Sequence, residues 1–307
     1  MVTIITTTIN EPTVATKKFA QIALEKGYDF IVVGDKKTPH ASYQKMEGVF
    51  YLHPDLQEKK YKKLSDSIGW NTIQRRNLGF VEAFVNREAS IIATVDDDNI
   101  PYDYWGEDLL VNRVIECDIY NHPLGVFDPL SVTPCKHVWH RGYPLEYVPE
   151  RLNVEYKGKA LRKVLVQADL WDGDPDIDAM ARLTIKPIVK FPNNLSPYGS
   201  TNIAPFNSQN TFLSREVIPY YCVLPHIGRM DDIWGSYIMQ HYFPNSVVYN
   251  KASVYQDRNE QDLIENLENE ILGYKNTLSL IKDLPNWKKH LPFESLNFID
   301  LYQEALT

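Results

Sequence analysis

Cysteine is scarce in this chain, with three in 307 residues, at positions 117, 135 and 222, and no CxxC pair. That excludes a disulfide framework and makes a reducing compartment, the cytoplasm, the expectation. Basic charge is short as well: 32 Lys and Arg against 40 Asp and Glu leave a net charge of −8. Neutralising a phosphate backbone takes clustered basic surface, so no nucleic-acid partner is expected. The densest basic run, Lys59-Lys60 with Lys62-Lys63, reads as a solvated face. No apolar run approaches the ~18 residues of a membrane span. Met1–Ile5 has no basic leader and reads as a strand rather than a signal peptide. GxSxG, HExxH, Walker and GxGxxG motifs are all missing, which removes the hydrolase, zincin, P-loop and dinucleotide readings.

What is present is an ordinary globular composition, 44% hydrophobic and 23% charged, in a chain long enough for a large core. Val2–Thr8 is a β-branched strand, followed by a polar turn at Asn10-Glu11-Pro12. Ala15, Phe19, Ile22 and Ala23 then recur on one helix face, Gly27 stops that helix, and Phe30–Val33 forms a buried strand ending in Gly34-Asp35. Such a βαβ opening predicts a parallel sheet flanked by helices. Residues 36–66 show weak periodicity and are expected to contain loops. A helix over 73–86 with Leu78, Val81 and Val85 inward leads to an apolar strand at Ser90–Val95. Residues 118–200, rich in Pro, Asp and aromatics, are expected to form long loops around a cleft. A short helix is predicted over Asp232–Tyr242 and a long amphipathic one over 262–281. In the latter, Ile264, Leu267, Ile271, Tyr274, Leu278 and Ile281 make a stripe that packs on the parent domain or allows contact with a second copy. The sum is one α/β domain with a C-terminal helical extension.

Asp96-Asp97-Asp98 is the strongest chemical signal. Alternation in an extended segment sends Asp96 and Asp98 to one side and Asp97 to the other. The triplet follows a buried strand, at the end where open α/β sheets bind ligands. Hard oxygen donors there suit Mg²⁺ or Mn²⁺ bridging a diphosphate; the bland alternative is a solvated acidic loop. Arg75 and Arg76 could pair with phosphate or with the acidic cluster, or simply open a surface helix. In Gly228-Arg229-Met230-Asp231-Asp232-Ile233-Trp234, Asp231 suits an N-cap and Asp232 the first turn, and either carboxylate could also face a cleft as base or acceptor. The acidic stretch Asp172–Asp178 fails the calcium-loop pattern and suits helix capping or substrate contact. His137 and His140, beside Arg141-Gly142-Tyr143-Pro144, make a candidate anion or sugar site.

Taken in order, the strand–Asp96-Asp97-Asp98 element, His140-Arg141-Gly142-Tyr143-Pro144 and Gly228–Trp234 resemble the reversibly glycosylated polypeptides, the UDP-arabinopyranose mutases of GT-A glycosyltransferase fold. Lys251-Ala252-Ser253 adds to the likeness, whereas the tail from Val254-Tyr255-Gln256-Asp257-Arg258-Asn259-Glu260 is more similar to bacterial relatives of the STELLO glycosyltransferases. The resemblance implies a GT-A-like, Rossmann-like mixed sheet over residues 1–255 with a helical extension over 256–307. It implies a divalent metal, Mn²⁺ or Mg²⁺, on Asp98 with Asp96. Asn10, Asp35, Arg76, Asp96, Asp97 and His140 would bind a nucleotide sugar, with Asp35 at uridine. Arg141, Asp231 and Asp232 would be catalytic, Arg141 falling on the arginine that becomes glycosylated in the plant mutases. The chain departs from that family at Tyr249-Asn250, where the family has a His before Lys-Ala-Ser that many GT-A enzymes use as a third metal ligand. The expected function is metal-assisted glycosyl transfer from a UDP-type donor to a carbohydrate acceptor. The alternatives are a pyranose/furanose mutase that acts on the donor alone and a subunit that binds nucleotide sugar without chemistry.

Overall fold

A computed structural model describes residues 1–307. The chain opens as read, with strand β1 (Val2–Thr8), helix α1 (Val14–Lys26) and β2 (Asp29–Gly34). Thr13 caps α1 by accepting a hydrogen bond from the Thr16 N–H, and Gly27 closes it at φ 65°. Next come α2 (His40–Gln44), β3 (Phe50–Leu52) and α3 (Pro54–Ile68). The stretch expected to contain loops has them on either side of α2, and also holds a helix of 15 residues. Its inward side includes Gln57 and Ser65, which serve Arg75 rather than apolar packing, so a hydrophobic pattern does not mark it. Lys62 and Lys63 on its outer face are solvated as expected.

Helix α4 (Arg76–Val81) continues as a π turn over Glu82–Asn86 into β4 (Ile91–Val95). Leu78 and Val81 are buried, but Val85 is 42% exposed, because the wider turn rotates it off the inward face. Then follow β5 (Asn99–Pro101), β6 (Val114–Asn121), β7 (Glu155–Lys163), β8 (Val166–Gly173), α5 (Ala179–Thr184), β9 (Tyr198–Ser200), β10 (Asn210–Ser214), α6 (Asp231–Tyr242) and β11 (Val247–Gln256). Four of these strands, β6 to β9, carry residues from the region read as loops. β7 is largely exposed, and β8 is buried throughout yet includes Asp169 and Asp172, so neither gives a clean alternation.

All eleven strands join one mixed sheet, in the order β3-β2-β1-β4-β10-β8-β11-β9-β6-β7, with β5 on β11. The four strands β3-β2-β1-β4 are parallel; β10 then runs antiparallel to both β4 and β8. This is the expected α/β, GT-A-like and Rossmann-like mixed sheet. The carboxyl ends of β1, β2 and β4 open on one side, so Asn10, Asp35 and Asp96–Asp98 arrive at the same edge.

The chain ends in α7 (Leu263–Lys282), capped by Asp262, and α8 (Phe293–Ala305). Leu280, Trp287, Leu291, Phe298 and Tyr302 join the main hydrophobic core together with Ile5, Leu78 and Trp234. The inward face of α7 is only partly the stripe expected: Tyr274 and Ile281 pack against the main core. Glu270, Gly273, Thr277 and Leu280 are buried, while Ile264 and Ile271 are 58% and 41% exposed. The surface that α7 meets is polar and close: Arg229 bonds Glu270, and the Trp234 indole N–H donates to Thr277. No helix is long and apolar enough to cross a membrane.

Candidate functional site

Two cavities adjoin at the carboxyl edge of the parallel strands and share Thr72 and Ile73. The first, of 540 Å³, is lined by Asn10, Asp35, Asp97, Arg75 and Asn259 among others. The second, of 370 Å³, is lined by Asp96, Asp98, Arg141, Asp231 and Asp232, with only two hydrophobic residues in its wall. The acidic triplet is divided, with Asp97 in one cavity and Asp96 and Asp98 in the other, but a turn closed by the Asn99 N–H on the Asp96 carbonyl makes the division rather than the extended backbone expected.

In the first cavity Asp35 is buried and both its carboxylate oxygens are oriented by backbone, accepting from Lys36 N–H at 2.6 Å and Thr72 N–H at 3.2 Å. Asp97 is held by the Thr8 hydroxyl at 2.5 Å and the Asn10 amide at 2.9 Å. The Thr13 hydroxyl, at the start of α1, fixes the Asp97 carbonyl. These groups are rigid hydrogen-bonding partners that retain free lone pairs toward the opening.

In the second cavity each acidic pair contains one carboxylate tied to a buried arginine. Arg76 is fully buried beneath Asp96 and donates to its Oδ1 at 2.5 Å and to Ser208 at 2.6 and 2.7 Å. The surface-helix reading of Arg75 and Arg76 is thus overturned: Arg75 is buried too, bonded to Gln57 and Ser65, with its guanidinium 3.4 Å from the Trp70 ring centre. Arg141 donates from Nε to Asp176 at 3.0 Å, from Nη2 to Asp232 at 3.0 Å, and from Nη1 to the Arg229 carbonyl. Burial would depress this guanidinium, but Asp176 and Asp232 outweigh that and keep it charged. Burial alone would raise Asp176; Arg141 instead holds it far below the usual carboxylate range. Asp232 also accepts from the Ser208 N–H and hydroxyl.

The other member of each pair makes no ion pair, although the charges of Arg258 and Arg141 reach Asp98 and Asp231 respectively. Asp98 accepts only from the Asn259 N–H, at 3.2 Å, and its Oδ1 is buried without a partner. Burial and then the Asp96 charge push its pKa up to about 7. Asp231 accepts from the Gln74 amide at 2.6 Å and from the Asp232 N–H; burial and then Asp232 raise it to about 7 as well. Met230, not Asp231, occupies the N-cap of α6, so both acids lie in its first turn, where the helix dipole favours them. The backbone bends this demands use glycine. Gly142 has φ 82° with Ile233 against it, and Gly228 has φ 64°, where a Cβ would meet the Asn269 carbonyl of α7 at 2.1 Å.

His140 lines neither cavity. It is buried behind Arg141, hydrogen-bonded to the Arg141 carbonyl and edge-on to Trp171, and burial lowers its pKa, so it presents no cation to a ligand. The stretch Asp172–Asp178 is structural here: Asp178 caps α5, and Asp176 anchors Arg141. Asn250, where a His was noted as missing, sits within β11 beside Asp169 of β8 and lines neither cavity.

The residue that ends β11, Gln256, does line the second cavity, and both its amide atoms are buried and unpartnered. The same holds for Oε1 of Gln209, another wall residue. Gln74, Ser208, Gln209, Gln256, Arg258 and Asn269 are wall residues that sequence reasoning did not single out. Amides carry no motif, and only the tail resemblance at Gln256-Asp257-Arg258 touched them.

No cluster of three His, Cys, Asp or Glu side chains encloses a metal position. Mg²⁺ and Mn²⁺, however, commonly take one or two carboxylates and complete their shell with phosphate oxygens and water. The orphaned Oδ1 of Asp98, near the amide oxygens of the same wall, fits that kind of site.

No family model matches the chain. It is similar to two proteins of Arabidopsis thaliana. One, named probable glycosyltransferase STELLO2, is 23% identical over 326 aligned positions covering 95% of this chain and 40% of the relative. The other, named probable glycosyltransferase STELLO1, is 23% identical over 315 positions, covering 92% of this chain and 39% of the relative. The chain thus spans about two-fifths of the length of these curated relatives.

Proposed function

We propose that this chain is a glycosyltransferase that binds a nucleotide-sugar donor across the two cavities. The nucleoside lies at Asn10, Asp35 and Asp97, and the diphosphate and sugar lie between Asp98 and Asp231. The observation that carries the reading is that Asp98 and Asp231 line one polar cavity and neither makes an ion pair, while the acid beside each is paired with a buried arginine. Two such carboxylates suit two tasks: one awaits a cation that arrives with phosphate, the other can take a proton. A divalent ion held by Asp98, with Asp96 alongside, would offset negative charge on the departing nucleoside diphosphate. Asp231, poised near neutrality, accepts the proton of an acceptor hydroxyl or binds hydroxyls of the donor sugar, and the Gln74 amide aims it. Arg141 and Arg76 act through the carboxylates they hold, since each donates to protein acceptors already. The named activity of the two STELLO relatives supports the same class of reaction.

The mutase reading has no comparable support. Arg141, on which that reading turns, already donates from all three nitrogens to protein acceptors, so a sugar on it would disturb the ion pairs that hold Asp176 and Asp232. Incubation with UDP-, GDP- and CMP-sugars and Mn²⁺, followed by detection of released nucleotide, tests the proposal. Slow donor hydrolysis with one base class is expected. No binding and no turnover with any donor would overturn it, and a ring isomer formed from donor alone would favour the mutase.

A further inference from the structure

Beyond the donor cavity, and sharing Arg258 and Gln261 with it, lies a third cavity of 230 Å³. Its wall carries three cations, Arg182, Lys186 and Arg258, against a single carboxylate, Asp174. Asp174 serves both guanidinium groups: Arg182 donates to its Oδ1, and Arg258 Nε lies 3.5 Å from the same oxygen. Both arginine side chains are more than nine-tenths buried, and Arg258 Nε makes no hydrogen bond. Lys186 is exposed at the rim and has no ion pair. Asp174 is thus shared by two buried guanidiniums. Asp176 and Asp98 also favour the charged form of Arg258, but burial and then the neighbouring Arg182 outweigh the three acids. With Lys186 unpaired at the rim, the positive charge of this wall is under-compensated.

Arg258 also faces Asp98 across the donor cavity, but Arg182 and Lys186 line the third cavity alone, so the donor's own needs do not account for them. We infer that this third cavity binds the anionic group, a phosphate monoester or a carboxylate, of the acceptor. Resting as it does on the transferase reading, this assigns an acceptor class. An anion seated against Arg258 would leave the rest of its molecule directed over Gln261 toward Asp231, the side from which a hydroxyl must approach the donor. Arg258 forms the wall between the two sites, a fixed planar donor suited to an oxyanion on the acceptor side.

The test is a calorimetric titration with methyl phosphate and, separately, acetate, first without nucleotide and then with UDP and Mn²⁺ present. Binding of one or both anions is expected, with the stronger identifying the acceptor's charged group, and it persists when UDP is added. Lys186→Glu, an exposed loop change, should weaken it by about tenfold or more, the scale of one charge-assisted hydrogen bond. Lys289→Glu, which alters net charge equally on the distant 284–290 turn, should leave it unchanged. Absence of anion binding, equal weakening by both variants, or displacement of the anion by UDP would each overturn the inference. Failure of UDP to bind would count against the donor assignment instead, and the Lys186 comparison without nucleotide would still decide this site.

Discussion

The two walls of the second, acidic cavity are built alike. The β4 wall carries Asp96 and Asp98; the α6 wall carries Asp231 and Asp232. On each, one acid is locked to a buried arginine and the other is not. The difference lies in depth. Arg141 is shared between Asp232 and Asp176 and ties the Arg229 carbonyl, so it joins three segments, whereas Arg76 serves Asp96 and a single loop at Ser208. The locked acids hold the walls in place, and the free ones are available for chemistry.

Removing a lock should have the largest effect. Arg141→Ala leaves Asp176 and Asp232 buried without a counter-charge, and is expected to cost about 3–5 kcal/mol in urea unfolding. Arg141→Lys keeps the charge but cannot reach both carboxylates and the carbonyl, so its loss should fall between wild type and Arg141→Ala. Wild-type stability in Arg141→Ala would mean that the triad does not hold the α6 wall.

Changing a free acid should separate function from stability. Asp98→Asn is expected to abolish Mn²⁺-dependent UDP binding while stabilising the unliganded chain at pH 8. The sign follows from the raised pKa. Between the ordinary carboxylate value and about pH 7 the folded chain keeps a proton that the unfolded chain has lost, so stability falls as pH rises through that window. Asn removes that slope, a gain on the order of 1–3 kcal/mol at pH 8 and little at pH 4. Urea melts at the two pH values check it.

Asp231→Asn should spare UDP affinity and remove most turnover. Wild-type turnover should rise with pH through about 7 as Asp231 loses its proton. The smallest effect is expected at Val85: Val85→Thr on the exposed side of the π turn should stay within about ±0.5 kcal/mol, against the larger loss an inward position would give.

The two walls also differ in how far the sequence announces them. Asp96-Asp97-Asp98 follows an uninterrupted apolar strand, and Asp97 does part from Asp96 and Asp98, although a turn rather than strand alternation parts them. The βαβ opening is equally plain, since Thr13, Phe19 and Gly27 each mark a local rule. The α6 wall is less legible. Its acids look like ordinary first-turn residues, and their partners Asp176 and Gln74 come from distant segments whose patterns carry no motif. The extension packs on the parent domain as expected, but its inward face is only partly legible, for a related reason. Apolar periodicity pointed to Ile264 and Ile271, but the surface waiting for α7 is Arg229, Trp234 and Met230, which select Glu270, Thr277 and Gly273. Polar matching between elements far apart in the chain leaves no periodic trace, and that is why α3, with Gln57 and Ser65 turned inward, was also invisible.

Titration of UDP into the chain with Mn²⁺ at pH 8, for wild type, Asp98→Asn and Asp231→Asn, tests the division of labour most directly. Wild type and Asp231→Asn should bind alike, and Asp98→Asn at least about tenfold more weakly, the cost of losing one charged contact. Equal binding by all three, or none by wild type, would contradict it.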